Sequence, residues 1–206
     1  MKRRVTLMAL STVFLSSRAD AQGLYWSLAY EPSVPVGSLR NAVADATAAG
    51  GSFGLRYLFT KYWSLGAGGH WNHFAENYPK ATYPIDEGAI TGAIYRRVWV
   101  ASALAEVHVY LAPDAAVCPY LGVGAGVSWI SNQLSVSDLT FDDPAHGFTM
   151  SPEVGVLIAF DRDMFEPGRT AMQSVIVGIR STVSSAGSRD VSSITVIGVT
   201  AGLLVY

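Results

Sequence analysis

Three features of the sequence predict an all-β chain forming an eight-stranded antiparallel up-and-down transmembrane β-barrel. Apolar residues are spread by alternation and not gathered in long runs, the alternate face is built from small polar residues, and the connections are short at one end and long at the other. Half of the 206 residues are hydrophobic and only 15% are charged, against about 25% in an ordinary soluble domain. A water-facing surface is therefore undersupplied, which disfavours a soluble enzyme. No apolar run reaches the roughly 18 residues that a membrane-spanning helix needs. The formal net charge of -2 offers no electrostatic footprint for nucleic acid.

The first element is an address. Residues 1–21 have a basic start (Lys2, Arg3, Arg4), an apolar stretch from Val5 to Leu15 and a polar end at Ala19-Asp20-Ala21. This pattern predicts a secretory signal peptide cleaved after Ala21, leaving residues 22–206 as the barrel domain. Alternation begins directly afterwards. Leu24, Trp26, Leu28 and Tyr30 share one face, and Tyr25, Ser27, Ala29 and Glu31 share the other. Phe53, Leu55, Tyr57 and Phe59 oppose Ser52, Gly54, Arg56 and Thr60; Trp63, Leu65, Ala67 and Trp71 oppose Ser64, Gly66, Gly68, His70 and Asn72. Further on, Trp99, Ala101, Ala103, Ala105, Val107 and Val109 oppose Ser102, Glu106 and His108, and Leu121 to Trp129 alternate with Tyr120, Gly122, Gly124, Gly126 and Ser128. Three more strands are expected near 149–161, 170–183 and 191–206.

Short turns are expected near Lys61-Tyr62, Pro113-Asp114 and Glu166-Pro167-Gly168. The segments 32–49, 75–97, 131–148 and 184–190 are mostly longer and more polar and are expected to face outward as loops. A soluble barrel would share the alternation, but its polar face would be rich in Lys and Glu. Here that face is mainly Gly, Ser, Thr and Ala with isolated charges, the composition of a crowded lumen. Trp26, Tyr30, Trp63, Trp71, Trp99, Trp129 and Phe160 lie toward strand ends, where aromatic rings meet the two membrane interfaces.

On this pattern, across residues 22–206, the chain resembles the small outer-membrane β-barrel family that includes the OmpA-like transmembrane domain and the opacity-type surface proteins. Members end in an aromatic residue on an alternating last strand read by the assembly machinery; Tyr206 and Leu204 match those positions, while Gly202 sits one place later than the family's usual glycine. The resemblance implies a bacterial outer-membrane location, outer-membrane lipid and lipopolysaccharide as surroundings, the assembly machinery as a partner, and a monomer.

The chemistry-bearing residues lead to the same conclusion. Gly122-Val123-Gly124-Ala125-Gly126 lacks the third glycine, helix and basic residue of a nucleotide loop and reads as a lumen face making room for large side chains. His70 and His73 fall on opposite faces of a strand, so they cannot share a metal. Asp138, Asp142, Asp143 and His146 form an acidic loop, best read as solvated. Cys118, the sole cysteine, reads as a structural thiol. No catalytic residue, metal or cofactor is expected; a lipid-modifying enzyme using His73 is the weaker alternative, since no Ser-His-acid set has a defensible spacing. What remains is a lumen polar network of Arg56, His70, Glu106, His108, Glu153 and Arg180. Charges confined in so narrow a space must pair, and the heights along the strands point to Arg56 with Glu106 as the principal pair plugging the lumen, with Glu153 and Arg180 higher on neighbouring strands and His70 and Glu31 at comparable levels. The expected function is structural or surface-interacting, through an unidentified ligand of the outer loops; a narrow transport channel is the other reading.

Overall fold

The computed structural model describes residues 23–85, 88–136, 139–160, 173–185 and 193–205. The expected signal peptide, the turn near Glu166-Pro167-Gly168, Asp138, Tyr206 and most of segment 184–190 lie outside the described residues. The described strands are β1 (Gly23–Tyr30), β2 (Ser33–Val36), β3 (Gly50–Thr60), β4 (Trp63–Ile85), β5 (Gly88–Tyr110), β6 (Val117–Val136), β7 (Leu139–Ala159), β8 (Gln173–Ser184) and β9 (Ile194–Val205), with a short helix α1 (Ser38–Ala42) after β2. From β3 to β9 each strand pairs antiparallel with the next, β1 pairs with β3, and β9 closes the ring on both β1 and β2. Because β2 continues β1 in unbroken register along β9, the two act as one strand and the ring has eight.

Stepping across the ring from Trp26, directly opposed residues run through Leu55, Ala67, Ala105, Ala125, Met150, Val183 and Thr195 and return to Val36. The return point is ten residues along the starting strand. Eight strands sheared by ten residues tilt about 40° from the barrel axis, given rises of about 3.3 Å and spacings of about 4.8 Å. An interior of this size is filled by side chains.

Alternation holds as expected. Leu24, Trp26, Leu28, Tyr30, Phe53, Leu55, Trp63, Trp71, Trp99, Val123, Trp129 and Phe160 are exposed on the outer wall, while Tyr25, Ser27, Glu31, Arg56, His70, Ser102, Glu106, His108 and Ser128 are buried inside. An apolar exterior around a polar interior inverts the arrangement of a water-soluble barrel. The short turns at 61–62 and 111–116 are joined by an exposed ion pair, Lys61 Nζ to Asp114 Oδ2 at 2.8 Å. This contact holds the Lys61 ammonium above its ordinary range.

Three expected outer loops take other forms. Segments 75–97 and 131–148 are largely β-structure: β4 and β5 run as a hairpin out to Ile85 and Gly88, and β6 and β7 out to Val136 and Leu139. Their polar composition resembles loop, but each arm satisfies the other's backbone, helped by cross-strand hydroxyl pairs such as Thr82–Thr91 at 2.8 Å and Ser135–Thr140 at 3.1 Å. Pro79 is accommodated where pairing lapses, bracketed by a register shift between Tyr78 and Ala81.

Segment 32–49 departs further, because part of it turns inward. Gly37, at φ 64, allows the bend into α1. Leu39, Ala42 and Val43 then bury against Phe74, Val98, Val100, Ile130, Ile194 and Val196 at the mouth of the barrel. The segment is sewn down on two sides. Ser33 and Thr47 exchange backbone hydrogen bonds of 2.9 and 2.8 Å, His73 N–H donates to Ala49 O at 2.8 Å, the Ala44 N–H donates to Glu76 Oε2 at 2.8 Å, and Ser38 Oγ donates to Ser193 O. At the opposite end a second apolar layer holds Tyr25, Leu58, Tyr110, Cys118, Tyr120, Leu157, Ile176 and Leu204. Cys118 is a buried free thiol.

Candidate functional site

Between the two apolar layers lies a charged one. Each member is placed by parity on its strand: Arg56 on β3, His70 on β4, Glu106 and His108 on β5, Glu153 on β7 and Arg180 on β8, all buried. Glu31, between β1 and β2, completes the layer.

Glycines make the space. Around the ring Arg56 opposes Gly66, Gly66 opposes Glu106, and Glu106 opposes Gly124; two residues along β5, His108 opposes Gly122, Gly122 opposes Glu153, Glu153 opposes Arg180, and Arg180 opposes Gly198. A Cβ on Gly122 would lie 2.6 Å from the His108 ring, and one on Gly68 would lie 2.5 Å from Glu106 Oε1. Gly122 and Gly124 therefore make room for side chains of the adjacent strand β5, and Gly126 for its backbone, not for side chains of the far wall.

Arg180 is the hub. Its Nη1 donates to Glu31 Oε2 at 2.8 Å and also contacts His70 Nδ1, its Nη2 donates to Glu153 Oε2 at 2.5 Å, and Nη2 stands 4.0 Å from Glu106 Oε1. Glu106 takes His70 Nε2 as its near partner at 2.9 Å, and Tyr120 OH donates to Glu153 Oε1. His108 Nε2 lies 3.8 Å from Glu153 and 4.0 Å from Glu106. The expected principal pair is corrected here: Arg56 Nη2 reaches Glu106 only at 4.0 Å, and Arg56 Nε and Nη1 have no partner among the described residues. The reason is reach. Arg180 stands directly opposite Glu153 on the neighbouring strand, whereas Arg56 is separated from Glu106 by the whole of β4.

A void of about 10 Å³, room for one water molecule, adjoins Arg56, His70, Glu106, Glu153, Arg180 and Thr200. Thr200 Oγ1 also has no partner among the described residues. Beside the charged layer run hydroxyl pairs, Ser102–Ser128 at 2.7 Å and Ser151–Thr182 at 3.1 Å.

His73 points outward, away from His70, and lies on Trp99 with ring centroids 4.3 Å apart. Ser131 Oγ donates to Asp142 Oδ1 at 2.9 Å on the exposed rim. No group of three His, Cys, Asp or Glu is placed to hold a metal among the described residues.

The inward-turned segment was what sequence reasoning missed; Glu31 falls, as its place in the sequence implies, on the inward face at the level of His70, Glu153 and Arg180. Leu39, Ala42 and Val43 recur at helical spacing inside a stretch read as loop, a signal that was there to use.

No family profile matches the chain, and no curated protein matches it. The crystal structure of Neisserial surface protein A superposes with a TM-score of 0.57 at 14% identity, covering 90% of this chain and 97% of that one. This chain has the fold of the small bacterial outer-membrane β-barrels. Two other such structures are similar at lower scores. Ail, the attachment invasion locus protein of Yersinia pestis, gives 0.47 at 14% identity over 90% of this chain and 99% of its own. The N-terminal β-barrel domain of Pseudomonas aeruginosa OprF gives 0.40 at 10% identity over 88% and 98%. The fold assignment rests on the first.

Proposed function

We propose that this protein is a non-catalytic outer-membrane barrel with a structural or surface-interaction role, closed to solutes along its axis and presenting the β4–β5 and β6–β7 ribbons to the outside. The observation that carries this reading is the stacking of three side-chain layers inside an eight-stranded ring. Leu39 and Val43 meet Phe74 and Val98 at one end, the Arg180-centred cluster fills the middle, and Tyr110, Tyr120 and Leu157 fill the other end. Buried charges gathered around Arg180 and its carboxylate partners favour a fixed interior over a hydrated pore. Recognition then falls to the ribbons, which extend beyond the last pairings of β3 and β8.

The test is made on intact cells. The protein should fractionate with the outer membrane, migrate as a compact form in unheated gels, and be cut by external protease only within the ribbons or the 32–49 and 184–190 segments. Cleavage confined to the turns near Lys61 and Asp114 would invert the orientation, and recovery from the soluble periplasm would end the reading.

A further inference from the structure

We infer that the charged layer binds one proton, carried by His70, and that this proton is a pH-operated latch on the mouth of the barrel. The inference deepens the closed-barrel reading above and rests on it.

The layer does not balance without that proton. Among the described residues its fixed charges are the guanidinium groups of Arg56 and Arg180 and the carboxylates of Glu31, Glu106 and Glu153, all buried. With both histidines neutral, this leaves one negative charge uncompensated. Apolar layers close the lumen on either side, so bulk water does not screen it, and an unpaired buried charge is costly. One further proton makes the layer neutral.

The contacts decide where it sits. Each carboxylate is already engaged as an acceptor: Glu31 by Arg180 Nη1 at 2.8 Å, Glu153 by Arg180 Nη2 at 2.5 Å and by the Tyr120 hydroxyl, and Glu106 by His70 Nε2 at 2.9 Å. His108 is poorly placed, since its Nε2 comes no closer than 3.8 Å to Glu153 and 4.0 Å to Glu106, and its Nδ1 has no partner among the described residues. His70 has a carboxylate off each ring nitrogen, Glu106 Oε1 at 2.9 Å from Nε2 and Glu31 Oε2 at 3.6 Å from Nδ1. That suits an imidazolium, which donates from both nitrogens. The charged and titratable groups facing this layer are Glu31 from the β1–β2 joint, Arg56 from β3, Glu106 and His108 from β5, Tyr120 from β6, Glu153 from β7 and Arg180 from β8, while β9 adds the uncharged Thr200.

The two charge states of His70 make different contacts. A neutral ring with its hydrogen on Nε2 donates to Glu106, and its bare Nδ1 accepts from Arg180 Nη1, which touches it. In the imidazolium, Nδ1–H meets that guanidinium donor to donor, so Arg180 releases the ring and Nδ1–H turns to Glu31. Glu31 stands at the root of the inward-turned segment: its N–H donates to Gly50 O at 3.0 Å, and its carbonyl oxygen accepts from Ser33 Oγ at 3.1 Å. Protonation therefore fastens the residue from which the Leu39–Val43 plug departs, and deprotonation slackens it. A proton that the folded layer requires and the unfolded chain does not stabilises the barrel at low pH, and the gain is lost as the pH rises.

The experiment uses the full chain refolded in detergent, with heat-modifiable mobility as the check on folding. His73→Gln, His108→Gln and His146→Gln together leave His70 as the sole histidine. Nitrogen NMR of its labelled ring at about pH 7.5 should show hydrogen on both ring nitrogens; a ring with one bare nitrogen overturns the inference. In the wild type the urea midpoint should fall as the pH is raised from about 6 to about 9, and His70→Gln should remove about half of that fall or more, whereas His108→Gln should keep most of it. An equal fall in His70→Gln and wild type also overturns the inference, and if His70→Gln gives no compact form the ring spectrum decides. A wild type without a compact form at any pH refutes the barrel reading itself.

Discussion

Replacing Arg180 with Met separates a paired interior from a merely crowded one. The methionine keeps much of the side-chain volume but removes the donors that reach Glu31 at 2.8 Å and Glu153 at 2.5 Å, both of which are buried. Glu31 and Glu153 are then left buried without their guanidinium partner, and breaking a buried pair in this way costs about 3–5 kcal/mol. Arg56→Met makes the control. Its closest carboxylate stands at 4.0 Å and two of its nitrogens are unpartnered, so the lost attraction is offset by the desolvation no longer required, and the change should stay within about 1 kcal/mol. The assay is urea-dependent tryptophan fluorescence of protein refolded into phospholipid vesicles, with overlapping folding and unfolding limbs. Adding Glu31→Gln and Glu153→Gln to Arg180→Met should recover much of the loss, because the uncompensated charges are gone. An Arg180→Met change within about 1 kcal/mol, or equal losses for the two arginines, would refute the hub.

Other expectations follow from the wall and the mouth. Val123→Arg, on the exposed outer face, should cost about 2–4 kcal/mol, while the inward Ser128→Thr should be far milder in the same unfolding assay. Gly126→Val should prevent formation of the compact gel species, because a Cβ there would sit 2.0 Å from the Ala103 carbonyl oxygen, a backbone atom that cannot step aside. Leu39→Ala, at a fully buried position in the mouth layer, should destabilise by about 2–5 kcal/mol, measured as the shift in urea midpoint. An unshifted midpoint would mean that segment 32–49 does not pack there.

The strand faces were legible because period two is a property of each strand by itself. Once Leu24, Phe53, Trp63 and Val123 are recognised as one apolar series, the inward set, including Arg56, His70, Glu106, His108 and Arg180, follows by parity. Pairing within that set was not legible, because it depends on register between strands. Heights counted along the strands put Glu153, Arg180, His70 and Glu31 at comparable levels, but only the register decides that Arg180 stands directly opposite Glu153 and that a shear of ten residues brings Glu31 to its guanidinium. Composition misled in a different way at the ribbons. Tyr78-Pro79-Lys80 and Asp142-Asp143-Pro144 carry loop-forming residues, yet hairpin arms supply each other's hydrogen bonds, so propensity yields to pairing. For α1 the cue was short: five residues, with the apolar spacing visible only from Leu39 to Val43.

Conductance across a planar bilayer tests the closed interior most directly. Wild-type protein, inserted and verified as heat-modifiable, should give no steady openings, whereas Arg180→Ala combined with Leu39→Asp and Val43→Asp should give discrete ones, since the charged layer and the mouth layer are both disrupted. Steady, large conductance from the wild type would contradict the account.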